Sequence, residues 1–289
     1  MDDRECVAFL QHALPRMGLR WRGFRRVRRQ VCRRIARRMR ALGLARPEDY
    51  RARLDRDPGE WLALDAMCRI PISRFYRDRG VYDCLGEQVL PRLAETALWR
   101  GAGEIRCWSA GCASGEEPYS LAILWRMRLS GRFPALALRI LATDVDEGMV
   151  ARMRRGCYRA GSLKELPPDW IAAAFEPIAT GFCVRPEFRE GIDVALQDIR
   201  REMPEGRFDL VLCRNVAFTY FDEDAQRVCL AGIAERLSPG GCLVIGRHES
   251  LPEGQASLAS WNGRPEIFVA PDEAARRPNG ATPIAARTG

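Results

Sequence analysis

Between Phe24 and Leu42 the chain reads FRRVRRQVCRRIARRMRAL, and its apolar positions (Phe24, Val27, Val31, Ile35, Met39, Leu42) recur at steps of three and four. That spacing predicts one helix with a narrow buried stripe, stopped by Gly43. Further helical patterns over 47–56 and 60–70 complete a small all-helical domain, residues 1–80. RFYRDRGVYDCLGEQVLPRL then carries one more predicted helix. From Glu104 the pattern changes: EIRCWSA, LRILATDVD, FDLVLCRN and GGCLVIGRHES read as buried strands. Between them PYSLAILWRMRL, EGMVARMRRGCY and DEDAQRVCLAGIAERL read as helices. Strands alternating with helices predict an α/β fold, a parallel sheet covered on both faces, over residues 81–270. TGFCVRPEFREGIDVALQD interrupts the alternation as a short hairpin before another strand, a small β insertion at about 178–197. The tail 271–289, rich in Pro, Ala, Gly and Arg, is expected to be disordered.

Length and composition leave this picture intact: 289 residues, 47% hydrophobic and 29% charged, suit one large or two ordinary globular domains. Charge changes it more. Residues 1–56 hold 17 arginines against six acids, and nine of the arginines fall in 24–42 with no acid between them. Such a helix should repel itself unless a partner answers it. Eleven cysteines, an odd number without a CxxC pair, and two histidines argue against a zinc site and a disulfide framework. The expectation is reduced, buried thiols, no metal, and a cytoplasmic protein with neither signal peptide nor membrane span.

The candidate chemistry centres on WSAGCASGEEPYS, residues 108–120, at the turn between the first strand and its helix, where α/β sheets bind ligands. A phosphate loop would offer Gly-Lys-Ser/Thr or a bare helix N-terminus. Here Glu116 and Glu117 follow the small residues Gly111–Gly115, repelling pyrophosphate and suiting a cationic or hydroxyl-rich ligand. The second strand ends at Asp144, where a carboxylate can accept two hydrogen bonds from a ribose diol. A nucleoside without phosphates but with a positive charge describes S-adenosylmethionine. The plain alternatives are a tight turn at 111–115 and a capping role for Asp144, although Asp146 is better placed to cap. Arg214 and Asn215 follow the third strand, as ligand contacts or as turn residues; Tyr220 faces the ligand or the core, Phe218 and Phe221 the core. His248 reads as structural, because the reaction below gives it no role.

CWSAGCASGEEPYSLAI, ATDVD, GCYR, LCRNVAFTYFDE and SPGGCLVIGRHESL, preceded by RRIARRMRALGL and ISRFYRD, together resemble the CheR-type chemotaxis receptor-glutamate O-methyltransferases over residues 15–270. The resemblance implies a Rossmann-like class I methyltransferase domain with a small β-subdomain behind the helical domain. It implies that Gly111, Glu117, Asp144, Arg214 and Asn215 meet the cofactor, with Asp144 on the ribose. Ser73 and Arg77 match the linker's threonine and arginine positions, and Arg77 and Tyr220 border the methyl-transfer site as the catalytic pair. Gln197 and Asp198 stand where the family has Asn-Leu at a cofactor-facing strand end. Pro71 replaces an asparagine, and CRNVAFTYF has one residue more than CRNV-x-IYF, which displaces Tyr220 unless the loop bulges. The implied reaction passes the methyl of S-adenosylmethionine to a glutamate carboxylate, leaving S-adenosylhomocysteine. Arg29, Arg33, Arg37 and Arg40 would then grip an acidic receptor helix, in preference to nucleic acid, by a monomeric enzyme. The alternatives are a small-molecule or non-receptor acceptor, or a cofactor-binding module without turnover.

Overall fold

The computed structural model describes residues 2–272. Five helices come first: α1 (Asp3–Ala13), α2 (Trp21–Phe24), α3 (Arg28–Ala41), α4 (Pro47–Arg56) and α5 (Pro58–Cys68). Their starts follow local chemistry. Asp2 and Glu5 form a capping box on α1, and Pro47 and Pro58 open α4 and α5, where a missing N–H costs nothing. The helix expected to run from Phe24 divides instead, α2 ending at Phe24 and α3 beginning at Arg28. Its first turn is tied elsewhere: Leu19 bridges Phe221, Arg20 N donates to Tyr220 O, and a Cβ on Gly23 would sit 2.3 Å from Thr219 O.

After a linker, α6 (Arg79–Cys84) and α7 (Leu90–Trp99) run on through a π turn. The α/β part follows: β1 (Glu104–Ala110), α8 (Glu116–Arg128), β2 (Ala137–Asp144), α9 (Glu147–Arg155), β3 (Cys157–Tyr158), α10 (Pro168–Ala174), β4 (Phe175–Ile178), β5 (Gly181–Val184), β6 (Ile192–Leu196), β7 (Phe208–Cys213), α11 (Ala217–Tyr220), α12 (Glu223–Arg236), β8 (Leu237–Ile245), β9 (Ala259–Trp261) and β10 (Arg264–Val269). The main sheet has the order β6-β2-β1-β7-β8-β10-β9. Its first five strands are parallel, and β10 and β9, which the hydrophobic pattern did not announce, close it antiparallel. The order reverses between β1 and β7, which opens a crevice beyond their carboxyl ends.

Two expectations need correction. The small sheet, β3-β5-β4, begins at Cys157 rather than near 178, and β6 belongs to the main sheet beside β2. β3 has only two residues, too few to carry a strand period. Four cysteines are paired rather than reduced: Cys6–Cys32 joins α1 to α3, and Cys157–Cys183 joins β3 to β5, where the two residues stand opposite in register. Each pair is 26 residues apart, and only the fold brings its members together. The seven remaining thiols are buried. The expected disordered tail lies, from residue 273, outside the described residues.

Alternate residues of the central strands build two cores. Ile105 and Cys107, Leu210 and Leu212, Cys242 and Val244 pack toward α6–α8 and the small sheet. Trp108 and Ala110, Val211 and Cys213, Leu243 and Ile245 pack toward α12 and the N-terminal helices, meeting Phe9, Val31, Ile35 and Tyr50 in one cluster. The helical segment therefore serves as one of the layers covering the sheet.

Candidate functional site

The turn after β1 uses positive φ at Gly111, Ala113 and Gly115. At Gly111 (φ 73°) a Cβ would meet the Val216 side chain at 2.5 Å, so glycine is what lets the β1 and β7 loops close on each other. The two glutamates at the start of α8 then part company. Glu116 turns into the fold, its two oxygens held by the Ser114 hydroxyl at 3.0 and 2.9 Å, while Glu117 lines the cavity at the crevice. Ser109 Oγ donates to Glu117 Oε1 at 2.8 Å, and Arg214 Nη1 approaches Oε2 at 3.3 Å. Burial pushes the Glu117 carboxyl above its usual range, against the pull of Arg214 and Ser109.

Asp144 stands at the end of β2 on the same cavity. Backbone N–H groups of Ala113 and Asp146 hold its two oxygens at 2.8 and 2.9 Å, and burial raises its pKa. Each oxygen keeps a second lone pair, the requirement for receiving a vicinal diol. Asp146 is the cap of α9, through Met149 N. Beyond β6, Gln197 and Asp198 also line the cavity. Asp198 is engaged by Arg200, whose other side grips Asp65 of α5 at 2.6 and 3.0 Å, tying the helical segment to the rim. Gln197 Oε1 is buried with no hydrogen-bond partner. An orphaned acceptor there suits an exocyclic amine such as that of adenine.

Arg214 is buried and faces the linker more than the cavity. Its Nη2 donates to Asp78 Oδ2 (2.7 Å) and to the Arg77 carbonyl (2.8 Å), and its cation lies 5.4 Å from the Tyr82 ring centroid. Asp78, at φ 63°, therefore sits in a left-handed turn locked by an ion pair. The linker brings Pro71, Ser73 and Arg77 to the cavity, where Arg77 Nη1 donates to Ile72 O. From the opposite wall come Asn215, Val216 and Tyr220. Tyr220 closes the helical turn α11, with its ring on the cavity and against Phe24, centroids 5.0 Å apart. Burial raises the Tyr220 pKa, Arg77 opposes it, and Glu249 adds to it.

Ser73, Arg77, Gly111, Glu117, Asp144, Gln197, Asp198, Arg214, Asn215 and Tyr220 thus share one cavity. Phe218 and Phe221 are core, and His248 is exposed on the turn after β8. Arg29, Arg33, Arg37 and Arg40 lie outside the cavity on the exposed face of α3. Sequence reasoning missed Asp65, Asp78, Tyr82, Arg200 and Glu249. Only Glu249 had a signal, its place beside His248 after an apolar strand. The Glu117 carboxylate, the Asp144 carboxylate poised for a diol and the orphaned Gln197 amide oxygen form a set of acceptors that fits S-adenosylmethionine.

Comparison with known proteins agrees. Residues 72–266 match the family described as CheR methyltransferase, SAM binding domain, and residues 27–65 match CheR methyltransferase, all-alpha domain. The chain is 35% identical over 186 residues to a chemotaxis protein methyltransferase of Listeria innocua, covering 64% of this chain and 68% of that one. It is 32% identical over 231 residues to the chemotaxis protein methyltransferase of Escherichia coli, covering 77% of each. The Salmonella typhimurium counterpart is 33% identical over 232 residues, with 77% and 76% covered. No helix of the described residues is long and apolar enough to cross a membrane.

Proposed function

The chain belongs to the CheR methyltransferase family, and from that premise we propose that it methylates glutamate side chains of a chemoreceptor cytoplasmic region or a related signalling protein, as a monomer in the cytoplasm. The observation that carries the reading is the meeting of Arg77 and Tyr220 with Glu117 and Asp144 on one cavity, in a chain whose helix α3 turns Arg29, Arg33, Arg37 and Arg40 to solvent. Bound there, S-adenosylmethionine supplies an electrophilic methyl group on a cationic sulfur.

Glu117 answers the positive charge, Asp144 receives the ribose hydroxyls, and Gln197 takes the amine through its free Oε1. Arg214 serves these contacts by holding Glu117 and the Asp78 turn. A glutamate acceptor, with a pKa near ~4.3, arrives ionised and needs no general base. The work left to the protein is desolvation and alignment. Arg77 steers the incoming carboxylate, and the Tyr220 hydroxyl fixes the transfer end of the cavity. Pro71 and Ile72 form an apolar lip between cavity and solvent. Arg29, Arg33, Arg37 and Arg40 would lie along an acidic helix of the acceptor. The test is transfer of labelled methyl groups to purified receptor cytoplasmic fragments. Label that is released by base and abolished by acceptor Glu→Ala changes is expected. Cofactor binding without transfer to any receptor overturns the reading and favours another acceptor or a module without turnover.

A further inference from the structure

The turn that carries Asn215 and Tyr220 into the cavity is badly equipped to hold itself. Asn215 adopts φ 59°, Val216 adopts φ −125° and ψ −95°, and α11 is four residues long. One helical turn has too few internal hydrogen bonds to persist without outside support. Two charged side chains from distant parts of the chain supply that support. Glu249, after β8, is half-buried by its surroundings and its carboxylate accepts three hydrogen bonds. Oε2 takes Asn215 N at 2.9 Å and Gly246 N at 2.5 Å, and Oε1 takes Thr219 Oγ1 at 2.5 Å. Gly246 is a glycine because a Cβ there would lie 1.9 Å from Asn215 Nδ2. At the other end Arg20 donates from Nε to Thr219 O at 3.1 Å and from Nη2 to Phe218 O, carbonyls at the unsatisfied end of the turn. Its backbone N–H donates to Tyr220 O at 2.8 Å.

We propose that Glu249 and Arg20 are positioning residues for methyl transfer: an anion at the start and a cation at the end brace the turn 215–220 and set Tyr220 against the cavity. The proposal rests on the reading of Tyr220 as part of the transfer site. It also explains how the chain tolerates a residue more than the family pattern, since Thr219 of the lengthened loop is itself a ligand of the Glu249 carboxylate. It assigns the N-terminal segment 19–24 a direct part in shaping the site, beyond covering the sheet.

Hydrogen exchange on the full chain without cofactor tests the brace before any acceptor is involved. Glu249→Ala should speed exchange over 214–222 by about tenfold or more, leaving β1 and β2 protected, and Glu249→Gln, whose one amide oxygen can still accept from Asn215 N and Gly246 N while its NH2 donates to Thr219 Oγ1, should recover most of the protection. Arg20→Gln tests the same turn from its other end and stands in should Glu249→Ala fail to fold. With an acceptor, Glu249→Ala should lower kcat by about tenfold with acceptor KM little changed, and should add little to Tyr220→Phe. Unchanged exchange over 214–222, or additive effects of Glu249→Ala and Tyr220→Phe, overturns the proposal. A loosened turn in a protein that methylates no receptor would instead leave the brace standing and remove the acceptor assignment.

Discussion

Glu117 and Glu116 are neighbours in sequence and opposites in the fold. Successive residues of a helix point about 100° apart, so only one of the pair could enter the cavity, and the run EE does not say which. The Ser114 hydroxyl decides it by holding Glu116 inward. Because Glu117 also anchors Ser109 and Arg214, removing it confuses two effects. Glu117→Ala orphans buried donors and should cost about 1–3 kcal/mol of stability along with affinity. Glu117→Gln keeps the shape and most hydrogen bonds while removing the charge. It should weaken S-adenosylmethionine binding by about tenfold and S-adenosylhomocysteine, which lacks the sulfonium charge, distinctly less. Calorimetric titration of both ligands separates the cases; equal loss for the two would mean that Glu117 does not face the sulfur. Glu249 escaped sequence reasoning for a related reason. Its partners on the turn, Thr219 and Asn215, lie 30 and 34 residues away in the chain, and no local pattern records them.

On α3 the density of arginine was legible in the sequence, but its division of labour was not. Arg28 pairs with Asp3, Arg38 makes a two-pronged contact with buried Glu60, and Arg34 donates to the Met67 and Arg69 carbonyls. These flank residues knit the helical layer together. Arg29, Arg33, Arg37 and Arg40 make no ion pair within the chain's described residues and form a stripe on the solvent side. Self-repulsion along it is tolerated because the flanks bind acids of α1 and α5. Replacing the four by alanine should leave cofactor affinity unchanged and raise the acceptor KM by about tenfold or more. Wild-type KM should rise steeply with salt and the variant's should not, since exposed charges are screened beyond about 8 Å at physiological ionic strength. Assays with a receptor fragment at several salt concentrations check both statements. A KM indifferent to the four changes would move the acceptor contact elsewhere.

At the scale of the molecule, the helical start and the α/β remainder look separable in sequence, and their elements were legible from period alone. Their union was not, because a strand buried on both faces shows continuous apolar residues without saying what covers each side. The N-terminal helices share a core with Trp108, Val211 and Leu243 and reach the cavity through Asp65 and Arg200. The packing around the cavity has an electrostatic consequence. Glu116, Glu117, Asp144 and Glu249 all have carboxyl pKa values raised chiefly by burial. Their stabilising contribution is complete below the unfolded carboxylate range, near ~4.3, and is lost as pH rises through the raised folded values. Glu60, lowered by its bond to Arg38, works in the reverse sense, as does Asp198, where Arg200 outweighs burial. Those two contribute above the ordinary range and fail only as pH falls below it. The cofactor-free protein should therefore hold or gain Tm between pH 7 and 5. On the proposal that Glu117 answers the cationic cofactor, its carboxyl ionises on binding, so the Tm increment that S-adenosylmethionine confers should shrink as pH falls toward the ordinary carboxylate range. On the acid side, binding should also release protons, visible in calorimetry across buffers of different ionisation enthalpy. An increment independent of pH between 7 and 5 would show that the burial of Glu117 is fully offset by Arg214 and that the cavity is ionised throughout.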